Sequence, residues 1–109
     1  MPNFSKNEIV LVRYPFSDLT NSKVRPAVVV NAAHVSKDLF IVALTSKTQS
    51  LMAGEFVLSE WHTVGLNVAT AVKRGVFTIH EKLVLKSVGK LIDSDAESLD
   101  KSLRGWFDL

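Results

Sequence analysis

Short apolar runs separated by polar turns fill most of the chain, and only the last segment shifts to a helical period. Glu8-Ile9-Val10-Leu11-Val12-Arg13-Tyr14 is rich in β-branched and aromatic residues and apolar at successive positions. It reads as a strand buried on both faces, as in a closed barrel. Pro15 ends it, and residues 17–23 carry the Ser, Asp and Asn of turn chemistry. A second strand is expected over residues 25–31, with Pro26 at its start because proline cannot donate to a ladder. Residues 38–45 predict a third strand and 55–58 a short fourth. Residues 70–80 predict a fifth, whose broken alternation around Gly75 implies a bulge. Residues 84–91 read as a sixth strand broken at Gly89 or as a helical turn leading into one; periodicity does not separate the two.

At the end of the chain Ser94-Asp95-Ala96-Glu97 matches a capping box, with Ser94 as N-cap and Glu97 as its reciprocal partner. Ala96, Leu99, Leu103 and either Trp106 or Phe107 follow at helical spacing. The expected fold is mostly β: a small barrel with one C-terminal amphipathic helix, in a single domain spanning residues 1–109. Fold class alone does not give function.

Composition narrows the chemistry. The 109 residues include no cysteine, which excludes disulfides and thiolate metal sites. No apolar run approaches the roughly 18 residues of a membrane span, and residues 1–8 lack the apolar core of a signal peptide, so a cytoplasmic protein with no membrane partner is expected. The formal charge of +2 permits weak attraction to polyanions without demonstrating it, so placement of the charges matters more than their sum.

His34, His62 and His80 match no metal spacing; a pair could act as acid and base, but surface or loop positions are the simpler reading. The carboxylates do not cluster: Asp18, Glu55 and Glu60 fall in or beside loops, and there is no phosphate-binding glycine pattern. Neither a metal nor a cofactor is expected. Two places stand out. In Lys23-Val24-Arg25-Pro26 a polar loop meets a strand, and Arg25 offers a planar, permanently charged fork suited to phosphate. Its plain alternative is an arginine snorkelling at a barrel rim. In Leu44-Thr45-Ser46-Lys47 two hydroxyls and an ammonium at a strand end could hold a phosphate, or form an ordinary polar turn. Lys73-Arg74, expected within the fifth strand with one side chain outward, adds charge. Trp61 and Trp106 could stack on bases, although Trp106 is more simply a residue of the helix–sheet core.

Taken together, residues 9–20 (Ile-Val-Leu-Val-Arg-Tyr-Pro-Phe-Ser-Asp-Leu-Thr), 23–30 (Lys-Val-Arg-Pro-Ala-Val-Val-Val) and 43–47 (Ala-Leu-Thr-Ser-Lys) resemble the MazF/PemK-type toxin family. Trp61, Gly65-Leu66, Thr70-Ala71-Val72-Lys73 and Val88-Gly89-Lys90-Leu91 follow the same order, so the resemblance covers nearly the whole chain. It implies an SH3-like β-barrel that forms a homodimer and acts as the toxin of a toxin–antitoxin pair. The activity implied is that of a metal-independent, sequence-specific endoribonuclease on single-stranded RNA. The implied partners are a cognate antitoxin, whose disordered tail covers the RNA groove, and operator DNA only together with that antitoxin. By position, Arg25 and Thr45 match the family's catalytic pair, with Lys23, Ser46 and Lys73 as nearby RNA-binding residues; Lys47 joins these on its own chemistry. The chain departs from the family at Asn7-Glu8, where Gly-Asp is usual, which predicts a changed loop rather than lost activity. Some relatives of this barrel act on gyrase through a C-terminal Trp, so Trp106 leaves a gyrase-directed inhibitor as one alternative. The other is a non-catalytic, nucleic-acid-binding regulator.

Overall fold

A computed structural model describes residues 4–14 and 23–109, with Tyr14 and Lys23 described by their backbone alone. Among the described residues seven strands precede one helix: β1 (Glu8–Tyr14), β2 (Lys23–Val29), β3 (Asp38–Thr45), β4 (Phe56–Val57), β5 (Ala71–Val72), β6 (Phe77–His80), β7 (Val84–Lys90) and α1 (Asp93–Phe107). Residues 84–90 are strand, unbroken at Gly89, which pairs with Ile9, and a 3-10 turn, Glu81–Leu83, lies just before the stretch for which a helical turn was the alternative. Every strand pair is antiparallel, in the order β4-β5-β3-β2-β1-β7, with β6 also paired to β3.

The double-sided apolar pattern of β1 is explained by two cores on opposite faces of the sheet. Ile9, Val28, Val42, Leu44 and Val72 face one cluster, which α1 covers with Leu99 and, partly buried, Ala96, Leu103 and Trp106. Val10, Val12, Ala27, Val29, Leu39, Ile41 and Ile79 face the other. Neighbouring residues of β1 and β2 thus go to different cores, which is the period of two of an extended chain.

The sheet is barrel-like, but among the described residues no strand pair joins its two ends. The segment after β4 spans the gap instead. A Cβ built on Gly89 of β7 would lie 2.3 Å from the Val64 carbonyl oxygen, and one on Gly65 would lie 2.6 Å from that of Val88. Two backbones meet there at a separation only glycine allows.

Several boundaries differ from the sequence reading. β2 runs two residues earlier than expected, so Pro26 lies inside it, opposite Leu11 of β1. It is tolerated because the ladder to β3 begins only at Ala27, leaving Pro26 unpaired on that side. Asn31 lies beyond the strand and caps its exit: its Oδ1 accepts from the Phe40 N–H at 2.9 Å and its Nδ2 donates to the Asp38 carbonyl at 3.3 Å. The fourth strand is only two residues long. The expected fifth strand is two strands, β5 and β6, with Gly75 between them at φ +138°. Both pair with β3, at Leu44–Thr45 and at Asp38–Ile41, so the irregularity is a break rather than a bulge.

The capping box does not form. The helix starts at Asp93, Ile92 is the N-cap without a side-chain hydrogen bond, and both Ser94 and Glu97 are exposed. Asp93 and Asp95 complement the positive end of the helix dipole instead. Asp95 is buried: its carboxylate accepts from the Ser59 N–H and hydroxyl, each at 2.9 Å, tying the helix to the segment after β4. Ala96, Leu99, Leu103 and Trp106 face the core as their spacing predicts, while Phe107 is exposed. At the entry to β1, Asn7 adopts φ +74°, a conformation asparagine tolerates better than most residues. Its N–H donates to the Val29 carbonyl at 2.7 Å and its carbonyl accepts from the Leu91 N–H at 2.9 Å. The strand entry is therefore fully bonded with asparagine where the family usually has glycine. Among the described residues no helix is long and apolar enough to cross a membrane.

A cationic cleft at the end of the sheet

A cleft of about 790 Å³ opens where β2 begins and β3 ends. Its floor includes Leu11, Pro26 and Leu44, residues 65–68 form one wall, and Lys86, Ser87 and Val88 of β7 form another. Arg25, Thr45, Ser46, Lys47 and Lys73 all line it, so five of the six candidate site residues come together from β2, the end of β3 with the two residues after it, and the residue after β5. Lys23, the sixth, opens β2, and its side chain lies outside the described residues, as do Asp18 and the other residues for which a turn was expected.

The cleft is cationic. No Asp or Glu lines it among the described residues, and Arg25, Lys47, Lys73 and Lys86 form no ion pair there. Arg25 is exposed and sits opposite Val12 in register. Val12 is fully buried, so β2 passes from core to open cleft within two residues of Ala27, leaving the guanidinium at the rim. Thr45 closes β3, and its Oγ1 accepts from the Lys47 N–H at 3.1 Å. That bond bends the chain after the strand and uses an acceptor lone pair, so the hydroxyl proton stays available to a ligand.

Lys73 and Arg74 follow β5 rather than lying within a strand, and both are exposed. The Lys73 N–H donates to the Ala43 carbonyl at 2.9 Å, and the Arg74 N–H to Glu55 Oε2 at 2.8 Å. Glu55 Oε1 also accepts from the Met52 N–H at 2.7 Å. These two backbone N–H groups, chiefly that of Arg74, hold the Glu55 carboxyl below its usual range, with the Lys73 and Arg74 charges adding to the effect. Glu55 thus ties down the turn that brings Lys73 to the cleft, a role its loop position did not reveal. Lys86, Ser87 and Asn67 also line the cleft without having been singled out from sequence, because nothing local distinguishes them from surface polar residues.

The remaining candidates lie elsewhere. The Nδ1 atoms of His34 and His80 accept from the N–H groups of Ser36 and Lys82 in local turns, and His62 packs edge-on against Trp61. Among the described residues no group of three or more His, Cys, Asp or Glu could hold a metal ion. The Trp106 indole N–H donates to the Ala53 carbonyl at 3.1 Å, and its ring packs on the core beside Gly54.

The family model for PemK-like, MazF-like toxins of type II toxin–antitoxin systems matches residues 5–107. The chain belongs to this family. Solved structures with the same fold include the Mycobacterium tuberculosis toxin MazF-mt6, with a TM-score of 0.74 at 20% identity over 94% of this chain and 97% of that one. A mycobacterial endoribonuclease in complex with its cognate antitoxin gives 0.80 at 12% identity, over 98% and 97% of the two chains. A MazE–MazF structure from Deinococcus radiodurans gives 0.78 at 12%, over 97% of each chain. A search of curated proteins gives no significant match. At these identities the structural likeness establishes the PemK/MazF fold, and the chemistry must be argued from the cleft.

Proposed function

We propose that this PemK/MazF-type toxin is an endoribonuclease that cleaves single-stranded RNA in the cleft without a metal ion. The observation that carries the reading is the convergence of Arg25, Thr45, Ser46, Lys47 and Lys73 on one groove with no lining carboxylate among the described residues. A polyanion is the ligand such a groove attracts. RNA brings its own nucleophile: the 2′-oxygen bonds to the adjacent phosphorus, the bond from phosphorus to the 5′-oxygen breaks, and the 2′-hydroxyl proton is balanced by one delivered to the leaving oxygen. The products are a 2′,3′-cyclic phosphate and a 5′-hydroxyl. Arg25 clamps the phosphate and neutralises the charge of the phosphorane. Thr45 donates a hydrogen bond from its hydroxyl to a phosphate oxygen as charge develops there. Lys23, Ser46, Lys47 and Lys73 hold the flanking backbone.

The working form in this reading is a cytoplasmic homodimer, held inactive by a cognate antitoxin across the groove, and it meets operator DNA only with that antitoxin. Two fold neighbours, a mycobacterial endoribonuclease in complex with its cognate antitoxin and a MazE–MazF structure from Deinococcus radiodurans, support the antitoxin partner. The seat of Trp106 in the core favours RNA cleavage over a gyrase-directed role for the C-terminus. The test is a long single-stranded RNA incubated with the protein in excess EDTA, beside R25A, with the ends mapped. Cuts at a recurring short sequence with 5′-hydroxyl ends, absent with R25A, are expected. Intact RNA in the presence of folded wild-type protein would leave a non-catalytic binding role.

A further inference from the structure

β7 does not keep register with β1. Val12 pairs with Val84 and Leu11 with Lys86, so Leu85 is an extra residue bulged out between two pairs. Residues two apart on a regular strand share a face. Without the bulge, Lys86 would follow Val84 toward the Val12 core, where an ammonium has no counter-charge among the residues of that cluster. With it, Lys86 moves to the face of Leu11, which lines the cleft. Bulges recur beside functional sites because they re-aim a side chain in this way. Leu85 itself is left half-exposed.

The placement defines what Lys86 can touch. Lys86, Leu11 and Pro26 form one row across β7, β1 and β2. Two pairing steps put Lys86 roughly 10 Å from the start of β2, where Arg25 stands, with an apolar floor between them. Lysine and arginine side chains are long enough for their charged heads to stand on successive phosphates of an extended strand lying across that floor.

We propose that Lys86 is a substrate-positioning residue that binds the backbone phosphate next to the scissile one, so that RNA crosses the cleft from the Lys47–Lys73 rim to β7. The proposal rests on the ribonuclease reading and extends it, since Lys86 sets where the strand lies rather than how the bond breaks. A phosphate contact on single-stranded nucleic acid contributes about 0.7 to the slope of log affinity against log salt, about fivefold per tenfold change in salt.

The test compares wild-type protein, K86Q, K86R and K82Q, the last removing an exposed charge on the 3-10 turn outside the cleft. Binding is measured over a salt series on an oligonucleotide of the cleaved sequence with 2′-deoxyribose at the scissile nucleotide. Cleavage of the all-ribose strand gives kcat and KM. For K86Q we expect a slope smaller by about 0.7 and a KM about fivefold higher at 0.1 M salt, with kcat within twofold of wild type. K86R should restore both, and K82Q should change neither. A K86Q slope equal to wild type, or an equal loss in K82Q, overturns the proposal. Binding and cleavage fail separately: uncut RNA with a slope that still drops in K86Q would sink the ribonuclease reading and keep the Lys86 contact.

Discussion

Thr45 and Arg25 line one groove, and the proposed reaction gives them different tasks that single substitutions separate. The Thr45 hydroxyl accepts from the Lys47 N–H and has its proton to give. Valine keeps the volume and removes both capabilities. Loss of one donor aimed at a developing oxyanion typically costs a hundred- to a thousandfold in rate, so T45V should lower kcat by about that factor. Single-turnover cleavage would show it, and unchanged turnover would remove Thr45 from the chemistry. Glu55 makes a prediction in pH. Its folded-state pKa is depressed, so the stability it contributes is present above its ordinary value of 4.5 and is lost as pH falls through the depressed one. Thermal unfolding between pH 6 and 3 should show a fall in wild-type stability that E55Q lacks in part, since the amide cannot titrate.

At the scale of elements, what holds α1 in place is not a cap but a buried carboxylate. Asp95 joins the first turn of the helix to Ser59, 36 residues earlier, through two hydrogen bonds. Alanine there would leave the Ser59 N–H without its acceptor and open a small void. D95A should cost about 1–3 kcal/mol, read as a lowered urea midpoint with an unchanged slope. S94A, which a capping box would make costly, should be near neutral because Ser94 caps nothing. β7 shows a second element-scale effect: its bulge at Leu85 decides whether Lys86 points toward a core or the cleft, and the strand's own composition does not specify which.

At the scale of the whole molecule, the critical seam is the contact between Val64-Gly65 and Val88-Gly89 that brings the two ends of the sheet together. A methyl group on Gly89 would meet the Val64 carbonyl oxygen, which is backbone and cannot swing aside. G89A should therefore destabilise by about 1–3 kcal/mol, seen as a drop in Tm of several degrees. Gly65 and Leu66 belong both to this seam and to the cleft wall, so RNA affinity should weaken in the same variant. A G89A protein with wild-type Tm would mean that the seam yields freely.

How much was legible in the sequence follows from how local each cause is. β1 and β3 fall within the bounds their composition predicts, because β-branched runs ended by turns are local signals. The helical face of α1 is likewise carried by the spacing of Ala96, Leu99, Leu103 and Trp106. The candidate residues Arg25 and Thr45 were visible through the motifs that mark the PemK/MazF family, and those motifs sit at strand ends where a side chain can leave the core. Other features depend on what lies across the fold. Pro26 is admitted inside β2 because β3 pairs no further than Ala27, and the fifth strand breaks because β3 receives it at two separate places. Asp95 replaces a cap because Ser59 is brought to it, and Lys86 joins the cleft because β7 slips one residue against β1. Sequence by itself determined the mostly-β order with its final helix, the family and the main candidate residues, since period, turn chemistry and motif act over a few neighbours. Only the tertiary structure decided which cations share one cleft, because the face a strand residue presents is set by pairing with a partner far along the chain.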